Sequence, residues 1–171
     1  IPKNKTLNEG DIINVDVTAL KEGWHGDTSR MFFVGEVSVK AKKLVKVTYE
    51  SMIKGIETLK NGSFSGDIGH TIQKHVEAQG FSVVRDFSGH GTGKKFHESP
   101  NILHFGNPKT GKKLSTGMIF TIEPMINEGE YSTKVLNDGW TAVTKDKSLS
   151  AQFEHTLGIT ENGYEIFTES A

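Results

Sequence analysis

Four acids and two histidines sit where acids and histidines are uncommon. Asp16 stands between Val15 and Val17 in the β-rich run at 11–18. A strand disfavours aspartate, and a carboxylate on a buried face is costly unless it is paired or binds a metal. A two-residue hairpin turn at Lys21-Glu22 sets Asp27 directly opposite Asp16, with Cβ atoms roughly 5 Å apart. Two carboxylates that close need a proton or a cation between them. His90 lies in the glycine-rich stretch Gly89-His90-Gly91-Thr92-Gly93, and His97 follows in Phe96-His97-Glu98. The stretch lacks the lysine and hydroxyl ending of a nucleotide-phosphate loop and the glycine spacing of a dinucleotide site. Glu123 and Glu154 are again acids set among apolar strand residues. Taken singly, each has a plain reading: an edge acid facing water, a salt-bridged strand acid, or a structural histidine. Together, four carboxylates and an imidazole suit Mn, Fe or Co and admit Zn. Acids able to bridge suggest two metals roughly 3.5–4 Å apart.

The elements that must position these groups follow from periodicity. Residues 11–18 and 27–34 read as partner strands joined at Leu20-Lys21-Glu22-Gly23. Val45, Tyr49, Met52, Ile53, Ile56 and Leu59 fall at helical spacing between Ala41 and Lys60, with Asn61-Gly62 as the stop. A second helix is expected from about Ser65 to Gln79, capped by Ser65, with Ile68, Ile72 and Val76 facing inward and Gly80 ending it. Further strands are expected at 81–87, 118–125, 140–144, 153–160 and 164–167. Strands on both sides of a helical pair predict an α+β fold, an antiparallel sheet covered on one face. Gly10-Asp11-Ile12-Ile13-Asn14-Val15-Asp16 also echoes Gly117-Met118-Ile119-Phe120-Thr121-Ile122-Glu123, which places Asp16 and Glu123 at related points of two copies of one unit.

Composition narrows the classes. The chain has 171 residues, 20 basic against 21 acidic, for a net charge of −1; this gives no bulk attraction to nucleic acid or to an anionic membrane. No apolar run approaches the ~18 residues of a membrane span. With no cysteine, disulfides, thiolate metal sites and a cysteine nucleophile are excluded, which fits a reducing cytosol. No signal peptide is visible, and the opening Ile1-Pro2, without an initiator Met, reads as a piece of a longer protein. Lys40, Lys42, Lys43 and Lys46 read as a solvated helix face, with contact to RNA or the ribosome as the minor alternative. His70 and His75 are expected at the surface or boundary of the second helix, and His25 and His155 as partners of neighbouring ligands; no role is given to His104.

The motifs Asn14-Val15-Asp16-Val17-Thr18, His25-Gly26-Asp27-Thr28-Ser29, Gly89 to Glu98, Thr121-Ile122-Glu123-Pro124-Met125 and Gln152-Phe153-Glu154-His155-Thr156 closely resemble those of methionine aminopeptidases. They stand in that family's order, and the short interval from Glu123 to Glu154 is similar to its type I, bacterial or organellar, form. The resemblance implies the pita-bread fold with pseudo-two-fold halves, as a single metallopeptidase catalytic domain over residues 1–171. The family carries a segment upstream of Ile1, with pocket residues and a histidine, so the N-terminal part is expected to be missing here and a face left uncovered to be apolar. By resemblance, Asp16 chelates one metal, Asp27 and Glu154 bridge two divalent ions (Co, Mn, Fe or Zn), and His90 and Glu123 complete the second site. Glu123 and His97 carry catalysis, His97 lies near the scissile carbonyl, and Phe96 and Trp140 line the methionine pocket. The implied partners are nascent polypeptide N-termini beginning with Met, met by a cytoplasmic monomer with transient ribosome contact. An X-Pro aminopeptidase of the same fold and a non-catalytic peptide-binding module are the alternatives.

Overall fold

A computed structural model describes residues 4–169. The first unit is a long hairpin of β1 (Ile12–Lys21) and β2 (Trp24–Phe33). Its turn is Glu22-Gly23, both at positive φ (51° and 84°), the conformation that follows strand twist and favours glycine second. The expected turn at Lys21-Glu22 is therefore one residue too early. Asp16 faces Ser29 and Thr18 faces Asp27, so the two acids are not directly opposite. The pairing has moved by two residues, and an even shift keeps every side chain on its face. Asp16 and Asp27 still share a face, one diagonal step apart.

Two helices follow. α1 (Val39–Ile56) starts where the Ser38 hydroxyl accepts the Ala41 N–H at 3.1 Å and ends four residues before the expected Lys60. α2 (Ser65–Ala78) is not capped by Ser65: Phe64 takes that position, with its N–H held by the Asp67 carboxylate at 2.9 Å. Ser65 instead accepts the Lys112 N–H. Leu44, Met52 and Ile56 of α1 and Ile68, Ile72 and Val76 of α2 are fully buried, as the helical spacing requires, in one core with Ile102, Phe120, Ile122 and Leu157.

The remaining strands are short: β3 (Ser82–Val83), β4 (Gly89–Gly91), β5 (Glu98–Ile102), β6 (Ile119–Ile122), β7 (Met125–Asn127), β8 (Thr133–Val135), β9 (Ala142–Thr144), β10 (Ser150–Gln152), β11 (Glu154–Thr160) and β12 (Gly163–Ile166). The strand expected at 118–125 breaks at Glu123-Pro124, where proline cannot donate to a ladder. The strand expected at 81–87 shrinks to two residues. The main sheet runs β1-β2-β11-β6-β4-β5, with β12 on β11; β10-β7-β3 form a second sheet and β8-β9 a separate hairpin. All pairings are antiparallel. The Gly10 N–H bonds Val34 O and the Val34 N–H bonds Asp11 O; the Gly117 N–H bonds Ile159 O and the Ile159 N–H bonds Met118 O. The internal echo is thus a repeated hydrogen-bond pattern, and its two copies meet where Glu154 faces Ser29. On β1 and β2, Val15, Val17 and Phe32 are about half exposed, so the apolar neighbours of Asp16 are not the buried residues the sequence suggested.

α2 lies tight against the loop that follows β5. A Cβ on Gly69 would come within 2.5 Å of the Phe105 carbonyl oxygen and 2.6 Å of the Leu103 one. Gly69→Ala is expected to lower unfolding free energy by about 1–3 kcal/mol, the usual penalty for overpacking, as read from urea denaturation. A change below about 0.5 kcal/mol, ordinary for a free surface position, contradicts this packing.

Candidate metal centre

The concave face of the sheet encloses a cleft of about 630 Å³ lined by Asp16, Asp27, His90, Phe96, His97, Glu123, Trp140 and Glu154, among others. All five expected metal ligands therefore open onto one cavity, although they come from five separate segments. His90 Nε2 is 3.7 Å from Asp27 Oδ2 and 3.5 Å from Glu123 Oε1. One donor atom each from Asp27, His90 and Glu154 lie within 4.8 Å of one another. These three residues are buried, while Asp16 stands at the open side. His90 sits at a register shift between β4 and β5, the kind of irregularity that re-aims a side chain.

Two of the four acids, Asp27 and Glu123, are tethered by neighbouring side chains. Thr18 donates to Asp27 Oδ1 at 2.8 Å, and Thr121 donates to Glu123 Oε1 at 2.7 Å while accepting the His90 N–H at 3.0 Å. Thr156 accepts the Asp27 N–H and donates to the Asp27 carbonyl, both at 2.8 Å. Gln152 Nε2 reaches Glu123 Oε2 at 3.3 Å, and Asn14 Nδ2 holds the Gln152 carbonyl at 2.8 Å. His104 Nε2 accepts the Glu123 N–H at 3.0 Å. Sequence reasoning gave these residues no role. A signal was present for the threonines: Thr18, Thr121 and Thr156 each lie two residues from a cleft acid, and period-two neighbours share a strand face. His104 left no such trace.

His97 and Phe96 form the exposed lip. The His97 ring is 4.1 Å from that of His90 and 4.0 Å from that of Phe96, centroid to centroid. Phe96 stacks on His25 at 5.6 Å, and His25 bonds the Gly93 carbonyl through its backbone N–H and its Nδ1. Trp140, in the turn between β8 and β9, is 70% exposed, and Asp138 Oδ1 accepts its N–H at 3.0 Å. His155 turns away from the cleft and meets the Thr168 hydroxyl, so neither His25 nor His155 bonds a cleft acid directly.

The model of metallopeptidase family M24 matches residues 1–161. The chain belongs to this family, among the methionine aminopeptidases. It is 56% identical over 171 residues to the methionine aminopeptidase of Rickettsia prowazekii (99% of this chain, 66% of the relative). It is 60% identical over 166 residues to methionine aminopeptidase A of Synechocystis (97% and 66%). The crystal structure of the Rickettsia prowazekii methionine aminopeptidase superimposes with a TM-score of 0.97 at 55% identity, covering 99% of this chain and 68% of that one. The fold is the pita-bread fold that the motifs implied. The chain spans about two thirds of the length of the curated relatives it matches, 66% for both.

A divalent metal, which this peptidase family uses, fits the cleft on electrostatic grounds. Burial first, then the charges of Glu123, Asp27 and Asp16, push the Glu154 carboxyl up to about 10. Burial raises Glu123 to about 7 against the opposing Thr121 hydrogen bond and His90. Burial, then Asp27, also raises Asp16. Burial works against a charged His90, yet the nearby Asp27 carboxylate and the Gly91 carbonyl outweigh it, so its pKa is raised. Carboxylates forced toward their neutral form are groups that lack a counter-charge. A cation among oxygen donors and one imidazole supplies it.

The same shifts set the pH dependence of the metal-free chain. Glu154 holds its proton in the folded state well above its ordinary 4.5, so this stabilisation is complete at low pH and drains as pH rises toward 10. His90, also raised, adds a fall of the same sign. His104, held down to about 3, and His97 and His155, lowered mainly by burial, add a rise of the opposite sign that fades above about pH 7.5, where the unfolded imidazole is neutral too. In chelator, the unfolding free energy is expected to fall between about pH 7.5 and 9, by no more than about 1.4 kcal/mol per pH unit for each proton, and the melting temperature falls with it. Glu154→Gln flattens the fall. A level wild-type profile in differential scanning fluorimetry contradicts the assignment.

Proposed function

We propose that the protein carrying this chain removes the N-terminal methionine from newly made polypeptides by hydrolysing their first peptide bond. The observation that carries this reading is the convergence of Asp16, Asp27, His90, Glu123 and Glu154 on one cleft whose lip bears Phe96 and His97. These five side chains would hold two divalent cations, with Co, Mn, Fe and Zn all compatible with the donors. When bound, such ions supply Lewis acidity for the scissile carbonyl and bring the pKa of water down toward about 7.

The chain's own residues do the rest. Glu123, held at the cleft by the Thr121 hydroxyl and the Gln152 amide, is placed to accept a proton from the attacking water and deliver it to the leaving amine. His97 lies beside His90 at the cleft mouth, where it donates to the oxyanion that develops on the carbonyl oxygen. Phe96 and Trp140 offer apolar surface to an unbranched thioether. The substrates are chains beginning with Met, met in the cytoplasm by a monomer. No helix among the described residues is long and apolar enough to cross a membrane. The lysine face of α1 favours solvation over ribosome contact: Lys40 pairs with Glu128, Lys42 with Glu36 and Lys46 with Glu50, and Lys43 donates to the Gln79 carbonyl.

In the whole protein, Asp27→Ala should lower kcat by more than ~100-fold, at least the loss seen when one transition-state contact is removed, and should weaken Mn binding in calorimetry. Wild-type turnover by that variant ends the assignment. Met-Ala-Ser should be cleaved and a peptide with proline second left intact; the reverse preference points to an X-Pro enzyme. Absence of bound metal from protein purified without chelator points to a peptide-binding module.

A further inference from the structure

We infer that His104 is a positioning residue for Glu123, fixing the backbone from which that carboxylate enters the cleft. β6 ends at Ile122 and β7 begins at Met125. The ladder to β11 stops with Ile122 opposite His155. Pro124 has no N–H, and the Glu123 N–H is left outside both strands. A peptide N–H withdrawn from water needs an acceptor. His104 Nε2 provides it at 3.0 Å, from a side chain only 2% exposed. Because the partner is an N–H, Nε2 carries no proton and the ring's hydrogen is on Nδ1.

The backbone that carries His104 is itself held from both sides. Ile102, two residues before it, is fully buried and pairs with Gly89. The carbonyls of Leu103 and Phe105, on either side of His104, press against Gly69 of α2. The helix thus fixes the loop, the loop fixes His104, and His104 fixes the Glu123 main chain. The Glu123 carboxylate is then held by the Thr121 hydroxyl and the Gln152 amide. Asp27, by contrast, is tethered by Thr18 and Thr156, so loss of His104 disturbs one part of the donor set and leaves the other.

The inference stands on the hydrogen bond; only its effect on turnover rests on the peptidase reading. Two measurements test it. In the ¹⁵N-labelled wild-type protein, a through-hydrogen-bond coupling is expected between the Glu123 amide nitrogen and His104 Nε2, and its absence overturns the bond without any variant. His104→Phe fills the space without an acceptor, and His104→Gln restores one. His104→Phe is expected to weaken Co²⁺ binding by ~10–100-fold, the range for losing a residue that supports a ligand. It should also change the visible absorption of bound Co²⁺ and lower kcat more than it changes KM. His104→Gln should recover most of both. A folded His104→Phe protein with wild-type Co²⁺ affinity and spectrum reduces His104 to a packing residue and overturns the proposal. If the coupling and the Co²⁺ effects are seen but the wild-type protein hydrolyses no Met-peptide, the peptidase reading fails and the positioning role stands.

Discussion

Mutual repulsion among carboxylates in a partly dry cavity is the constraint around which this protein is organised. Asp16, Asp27, Glu123 and Glu154 open onto one cleft, and burial with like charge drives Glu154 to about 10 and Glu123 to about 7. Left alone, such a cluster favours a looser chain in which the acids regain water. A cation reverses the sign, because the charges that repel one another then converge on a common partner. The site gives up part of the stability of the metal-free chain for a strong preference for a divalent ion.

The scaffold meets this constraint with short polar tethers and a repeated frame. Threonines on the cleft face restrain Asp27 and Glu123, and His90 shares one of those hydroxyls. On the opposite face of the same strands, Phe120, Ile122 and Leu157 join α1 and α2 in the core. Strand alternation thus divides one sheet into a charged concave side and an apolar convex side. The repeated glycine-led pairing at Gly10 and Gly117 brings Asp16 and Glu123 into the cleft from opposite halves. The five cleft residues are far apart in sequence, four of them on hydrogen-bonded strands and Glu123 at the break between β6 and β7.

Period and chemistry made much of this legible in the linear chain. The helical spacing of Val45 to Leu59 and Ile68 to Val76, the glycine-led echo, and acids placed among strand residues are local patterns. They carried the fold class, both helices and the five side chains that converge on the cleft. Element ends were less legible, because caps depend on which side chain reaches which N–H: Ser38 and Asp67 act at the helix starts, while Ser65 is drawn off by Lys112. The hairpin turn was misplaced by one residue, but the face shared by Asp16 and Asp27 survived because the pairing moved by an even step.

What the residues alone determined is the inventory: which donors exist, which faces they share within a strand, and which class of ion they suit. Tertiary structure decided the order β1-β2-β11-β6-β4-β5, the exposure of Val15 and Val17, and the choice of His104 as the acceptor for the Glu123 N–H. These depend on contacts between segments distant along the chain. No spacing rule encodes them, because the acceptor nearest an orphaned N–H is fixed only once helix, loop and sheet have packed together.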